Sequence, residues 1–133
     1  MEIREYRAYD STEILDLYAS VGWTAYTEQP ETLQRGFEAS LLVLAAYEAG
    51  GLAGLVRVVG DGETIVFVQD LLVRPSCQRR GIGTALLREV LKRYSHVRQI
   101  ELMTDDTPKT RAFYESIGFR TMADFGCCGF MKG

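Results

Sequence analysis

Histidine occurs once in the 133 residues, as His96, and cysteine three times, as Cys77, Cys127 and Cys128. An odd cysteine count with two neighbours adjacent makes a poor disulfide framework, so a reducing cytoplasm is the expected setting. The same residues give no zinc-ligand spacing, and no metal is expected. No apolar run approaches the roughly 18 residues that cross a bilayer, so no membrane partner is expected. Met1-Glu2-Ile3-Arg4-Glu5-Tyr6 lacks the basic-then-apolar layout of a signal peptide. Basic charge is short as well. Fifteen Lys and Arg stand against eighteen Asp and Glu, a formal net charge of -3, and no basic stripe marks a nucleic-acid partner. That balance suits a small cationic substrate instead.

What is present is ordinary globular composition, 47% hydrophobic and 25% charged. With no repeat, linker or low-complexity segment, residues 1–133 read as a single domain with a sizeable core. Ile3 to Ala8 alternates as a first strand. Asp10 and Glu13 have capping-box spacing before a helix with Ile14, Leu15, Leu17, Tyr18 and Val21 on its apolar face, ended by Gly22. Trp23 to Thr27 reads as a loop, and Pro30 opens a short helix carrying Leu33 and Phe37. Leu41–Tyr47, Leu52–Val59 and Thr64–Val73 are strands, joined at Gly50-Gly51 and Gly60-Asp61-Gly62 into an antiparallel meander.

The third of these strands leads into the most informative stretch. Its near-continuous apolar run fits burial on both faces, and Arg74-Pro75 ends it. From Ala85 to Tyr94, Leu86, Leu87, Val90, Leu91 and Tyr94 share one helical stripe. Between strand and helix lie Gln78, Arg79, Arg80, Gly81, Ile82, Gly83 and Thr84. Two glycines at a helix start admit a ligand close to the backbone, the free first-turn N–H groups favour an anion, and the arginines add charge. These residues suit a phosphate or pyrophosphate. They equally suit a tight structural turn, and neither a Walker loop nor a dinucleotide fingerprint is present.

Arg98–Thr104 is a further strand, parallel to the preceding one because a helix connects them. Thr107-Pro108 caps a last helix, Lys109–Ile117, which Gly118 stops. Phe119–Met122 and Cys127–Met131 read as the final strands. The chain is therefore an α/β domain with a mixed sheet.

The order Gln-x-x-Gly-x-Gly, from Gln78 to Gly83 after a Val-x-Pro strand end, resembles the acetyl-CoA segment of the GCN5-related N-acetyltransferase (GNAT) superfamily. The ending Phe113-Tyr114-Glu115-x-x-Gly118-Phe119 resembles that superfamily's second motif, one helix and one strand later, and the order of elements matches along the whole chain. One departure is Thr107, where the family often has asparagine; this chain has no asparagine at all. The resemblance implies a mostly antiparallel mixed sheet with a splayed central parallel pair and about four flanking helices. It implies acetyl-CoA as co-substrate. Leu71, Leu72 and Val73 would present backbone groups to the pantetheine arm, which adds like a strand. Gln78 lies in the same motif, and N–H groups from Arg79 to Thr84 would hold the pyrophosphate. An N–H near Leu72 would meet the thioester oxygen.

Tyr114, also counted with the cofactor site, is the implied acid for the departing thiolate; packing beside Phe113 is the alternative. An attacking amine must lose a proton, since alkylammonium groups titrate near pH 10.4. Asp70, a carboxylate inside an apolar strand, and Glu101 on the neighbouring strand are the candidates. Pairing with an arginine or facing solvent is the other reading of either. Trp23 and Tyr26 would overhang the acceptor site or else pack in the core. The expected activity is acetyl transfer to a small cationic primary amine in a ternary complex. A protein N-terminus or lysine as acceptor, and a non-catalytic acyl-CoA sensor, are the alternatives. A homodimer is left open.

Overall fold

A computed structural model describes residues 1–133, which form two compact units, Met1–Met103 and Thr104–Gly133. The first unit contains, in order, β1 (Glu2–Glu5), α1 (Ser11–Ser20), α2 (Thr24–Thr27), α3 (Pro30–Glu38) and β2 (Leu42–Glu48). It continues with β3 (Gly51–Gly60), β4 (Ile65–Val73), a 3-10 turn at Pro75–Cys77, α4 (Ile82–Arg93) and β5 (Gln99–Leu102). The second contains α5 (Pro108–Ser116) and a 3-10 turn at Met122–Phe125. No helix is long and apolar enough to cross a membrane.

The entry to α1 shows how local chemistry sets an element. The Asp10 carboxylate accepts from the Glu13 N–H at 3.2 Å, which satisfies a first-turn donor. The return half of the capping box runs through a third residue. The Asp10 N–H donates to the Tyr6 hydroxyl, and that hydroxyl donates to Glu13 at 2.8 Å. Gly22, at φ 79°, then turns the chain out of the helix. Trp23–Thr27, expected as a loop, winds instead into the single turn of α2, closed by a Glu28 N–H bond to the Thr24 carbonyl at 2.9 Å.

The sheet has the order β1-β2-β3-β4-β5, antiparallel throughout except for the parallel pair β4–β5. Leu55 and Leu72 face each other in register and join Ile14, Leu17, Tyr18, Leu33 and Phe37 of α1 and α3 in one core cluster. The alternate residues Leu44, Val56, Val58, Val66 and Val68 are buried equally well, as are Leu86 and Leu87 of α4. Strand residues alternate between faces, so this sheet is covered on both sides.

One irregularity positions the site. Arg57 pairs with Asp70, but the next residue of β3, Val58, pairs with Val68, which leaves Gln69 as an extra residue in β4. This β-bulge re-aims the strand. Without it, Asp70 would share a face with Val68, two residues earlier. With it, Asp70 lies on the face of α1 and α3, opposite Arg57.

In the second unit the expected helix forms as read: the Thr107 hydroxyl accepts from the Thr110 N–H at 3.2 Å, the Thr110 hydroxyl from the Thr107 N–H at 3.3 Å, and Pro108 opens the first turn. The two strands expected after Gly118 do not form. N–H groups of Gly126 and Cys127 turn back to the carbonyls of Ala123 and Met122, with Gly126 left-handed at φ 75°. The Cys127 N–H and the Met122 carbonyl are thus spent on a local turn, Cys128 to Met131 pair with no strand, and Phe130 is 97% exposed. Strand propensity depends on a face to pack against, and this short run has none. The parallel pair β4–β5 accordingly stands at one end of a five-stranded sheet, not in its centre, and the α-helices number five.

Candidate active site

The β4–β5 ladder is short. It runs from Ile65 opposite Gln99 to Val68 opposite Leu102 and stops, while β4 continues for five more residues to Val73. The strands therefore fork at Gln69. Beyond the fork, Arg74 donates its N–H to the Ala53 carbonyl at 2.7 Å, which sets the phase of the β3–β4 ladder. Antiparallel partners alternate between bonded and non-bonded pairs. Leu72 accordingly spends its backbone groups on β3, and its carbonyl lies so close that a Cβ on Gly54 would approach it to 2.7 Å. Leu71 and Val73 turn theirs the other way. Of the three residues expected to offer backbone groups to an extended ligand, two face the fork and Leu72 faces β3. The Val73 carbonyl accepts from the Gln78 side chain at 3.1 Å.

From Val73 the chain passes through the 3-10 turn to α4. Arg79 is the one non-glycine residue with positive φ, at 66°, and Gly81 follows at 79°. The first helical bond runs from the Ala85 N–H to the Gly81 carbonyl at 2.9 Å, and Gly81 has no side chain to cap the turn. The N–H groups of Ile82, Gly83 and Thr84 therefore have no partner within the helix. Arg79 and Arg80 are exposed beside them. Together with the free edge of Leu71 and Val73, this gives amide-binding groups followed by anion-binding groups along one path. Such residues fit an acyl-CoA, whose pantetheine amides and pyrophosphate come in that order.

Next to the fork lies a buried polar network. Asp70 is 2% exposed and Arg57 6%. Asp70 Oδ2 accepts from Arg57 Nε at 2.8 Å and from the Tyr18 hydroxyl at 2.8 Å, and Oδ1 accepts from the Tyr26 hydroxyl at 2.9 Å. Arg57 Nη1 donates to Ser40 at 3.2 Å, and its guanidinium lies 5.5 Å from the centre of the Phe37 ring. Burial opposes the Arg57 charge, but Asp70 beside it prevails and its pKa is raised. Burial first, and Asp70 second, push Tyr18 far above the ordinary phenol value. Burial raises Tyr26 too, while a hydrogen bond from Gln69 works the other way. Both tyrosines stay protonated.

Of the two carboxylates expected as proton acceptors, Asp70 thus occupies an ion pair with arginine, with two donors on Oδ2 and one on Oδ1. A base needs a reachable lone pair aimed at the proton it removes. Three donors take three of the roughly four acceptor sites of the Asp70 carboxylate, and at 2% exposure the residue sits behind Tyr26, away from the surface. Glu101 is half-buried on β5, opposite Phe67, with no ion-pair partner. By alternation it shares the sheet face of Asp70. Tyr26 and Trp23 are half-buried, with ring centroids 6.1 Å apart, and both pack edge-on against Tyr18. Arg57, Tyr18 and Gln69 were not among the expected site residues. Arg57 carried a signal nonetheless: it is the one charge in the apolar run of β3, as Asp70 is in β4.

Tyr114, in the second unit, sits between Phe113 and Phe119, with ring centroids 4.9 and 6.0 Å away. Burial raises its pKa, and a hydrogen bond with Thr104 partly offsets that.

A family model described as an acetyltransferase (GNAT) domain matches residues 5–127. A chloroplastic serotonin N-acetyltransferase of Oryza sativa subsp. japonica is 33% identical over 110 residues, covering 78% of this chain and 53% of that protein. A mycothiol acetyltransferase of Kineococcus radiotolerans is 36% identical over 101 residues, 74% of this chain and 33% of that protein. The chain spans about half or less of the length of these curated relatives. A solved GNAT-family acetyltransferase of Streptococcus pneumoniae superposes with a TM-score of 0.88 at 37% identity, covering 98% of this chain and 96% of the other.

Proposed function

The chain belongs to the GNAT family of acetyltransferases, and from that premise we propose that it is an acetyl-CoA-dependent N-acetyltransferase acting on a small cationic primary amine. The observation that carries this reading is the fork after Val68, where the free edge of Leu71 and Val73 leads to the unbonded N–H groups of Ile82, Gly83 and Thr84. Acetyl-CoA supplies the activated acetyl thioester when bound there. Leu71 and Val73 orient the pantetheine arm through ladder-type bonds, and Gln78 releases or shares the Val73 carbonyl. The α4 first turn, with Arg79 and Arg80, holds the pyrophosphate.

The amine nitrogen attacks the acetyl carbonyl carbon directly in a ternary complex, and the carbon–sulfur bond breaks. An N–H of the β4 edge flanking Leu72 receives the negative charge that gathers on the carbonyl oxygen. Glu101, free of ion pairs, takes the proton that the ammonium must lose. Tyr114 gives its proton to the departing thiolate; the acetylated nitrogen sheds its second proton to solvent, from which Tyr114 is reprotonated. An acidic chain and the aromatic pair Trp23 and Tyr26 favour a cation with an apolar or aromatic body. The rice relative, by its name, acetylates an amine of this class.

The test is a panel of amines incubated with acetyl-CoA while free thiol is followed. Turnover of small cationic amines supports the reading. Turnover only of peptide N-termini or lysines would move the acceptor to proteins. Acetyl-CoA binding without turnover of any acceptor would make the chain an acyl-CoA sensor.

A further inference from the structure

Resting on the amine-acetylating reading above, we propose that the Tyr26 hydroxyl oxygen is the group that receives the acceptor's amino N–H, and that the buried Asp70–Arg57 pair is a positioning device that sets the polarity of that hydroxyl. A hydroxyl carries one proton and two lone pairs. The Tyr26 proton is committed to Asp70 Oδ1 at 2.9 Å, and one lone pair accepts from Gln69 Nε2 at 3.3 Å. What remains is a lone pair. Toward the fork, therefore, Tyr26 can only accept. An amine or ammonium group, with two or three N–H donors, matches it; a carboxylate or phosphate acceptor would face oxygen with oxygen.

The polarity is held from behind. Arg57 Nε and the Tyr18 hydroxyl both donate to Asp70 Oδ2, so the carboxylate cannot turn away from Tyr26 without breaking two buried bonds. Arg57 is itself anchored by Ser40 and by the Phe37 ring. The pair carries no net charge, so it fixes direction and does not act as a counter-ion. Selection for a cation then falls to the faces of Trp23 and Tyr26.

Placement agrees with this role. Gln69 is the bulged residue, immediately after the last β4–β5 partner and two residues before Leu71. Tyr26 and Gln69 are where the network meets the surface at the fork, half-buried and exposed respectively. An amine seated on Tyr26 thus lies beside the strand edge assigned to the thioester arm.

Steady-state kinetics with an amine found in the panel tests the assignment. Tyr26→Phe keeps the ring contacts to Tyr18 and Trp23 and removes only the oxygen. Its KM for the amine should rise roughly 10–100-fold, the loss of one hydrogen bond to a charged donor, with KM for acetyl-CoA unchanged and kcat little altered. Asp70→Asn should raise the amine KM similarly, without a further multiple in the double variant, and should retain the acidic limb of the kcat/KM profile. If Asp70→Asn unfolds, Gln69→Leu, at an exposed position, replaces it, with the same KM-directed loss expected to a lesser degree. Wild-type amine KM in Tyr26→Phe would overturn the assignment alone. Loss of the acidic limb in Asp70→Asn would make Asp70 the base and overturn the positioning role. Failure of the unaltered protein to acetylate any amine would overturn the N-acetyltransferase reading, and this assignment with it.

Discussion

Asp70 Oδ2 accepts the Nε–H of Arg57 at 2.8 Å across the β3–β4 register, and these two are the only charged residues buried in the protein. Their meeting depends on Gln69. The bulge brings Asp70 round to the face on which Arg57, Tyr18 and Phe37 already lie. The same extra residue stands where β4 parts from β5. One backbone irregularity thus serves two purposes: it completes a buried ion pair and marks the start of the cleft.

The pair should be strongly coupled. Removing one member leaves the other as an unpaired buried charge, a change that costs about 3–5 kcal/mol. Arg57→Met and Asp70→Leu should each lower the urea midpoint accordingly. In the double variant the loss should fall short of the sum, with a coupling of about 1–3 kcal/mol. Additive losses would mean that the two charges do not stabilise each other.

Signals that act within a few residues were legible in the sequence. Asp10, Gly22, Thr107 and Pro108 start and stop helices through their own hydrogen bonds and φ values, and each does so here. The Gly81 turn is of this kind too. Signals that depend on a distant partner were not. Nothing in the run Ile65 to Val73 says which residue is extra, because a strand apolar on both sides of Gln69-Asp70 has no period against which to detect a slip. Asp70 and Arg57 stand out singly as charges in apolar strands, yet only the register shows that they meet. Tyr18 reads as one more apolar-face residue of α1, since periodicity does not report where a hydroxyl points. Phe119–Met122 and Cys127–Met131 have strand-like composition, but a strand needs a neighbour and neither run has one: the Phe119 and Cys127 N–H groups turn back to Tyr114 and Met122, and Cys128 to Met131 lie exposed.

Gly83 tests the cofactor path. Acetyl-CoA bound to the folded state should raise the melting temperature by mass action. In Gly83→Leu the helix should persist, since leucine is a better helix former than glycine, while the side chain crowds the first turn of α4. The ligand-dependent shift should vanish although the unliganded protein melts normally. No shift in the unaltered protein at millimolar acetyl-CoA would refute the assigned site.

Asp61 gives a pH dependence that is independent of function. Its carboxylate accepts from the Thr64 hydroxyl at 2.6 Å and from the N–H groups of Glu63, Thr64 and Ile65 at 2.8, 2.7 and 3.0 Å. The Thr64 hydroxyl first, then these N–H groups, hold its pKa well below the usual carboxylate range. A carboxyl lowered by folding adds stability that is fully present above its unfolded pKa, about 4. That stability is lost as pH falls through the lowered folded value. Asp61→Ala should therefore be less stable than the unaltered protein at pH 7, and the gap should narrow progressively below pH about 4. Urea unfolding at a series of pH values measures it; a gap that stays constant into strong acid would contradict the role of these bonds.

Tyr114 is assigned to the leaving group, and its environment bears on that work. Burial between Phe113 and Phe119 pushes its pKa up, and the Thr104 hydrogen bond only partly opposes the rise. The hydroxyl therefore keeps its proton through neutral pH and beyond the ordinary phenol value of about 10. A group that must donate a proton late in the reaction has to hold it until then, and this one does. Tyr114→Phe retains both ring contacts and removes only the donor. If Tyr114 protonates the thiolate, kcat should fall by roughly 10²–10⁴-fold with acetyl-CoA affinity unchanged. The unaltered enzyme should show no alkaline fall in kcat below about pH 10 that Tyr114→Phe removes. Undiminished kcat in the variant would leave Tyr114 as a packing residue between two phenylalanines, and the thiolate would then have to find its proton elsewhere.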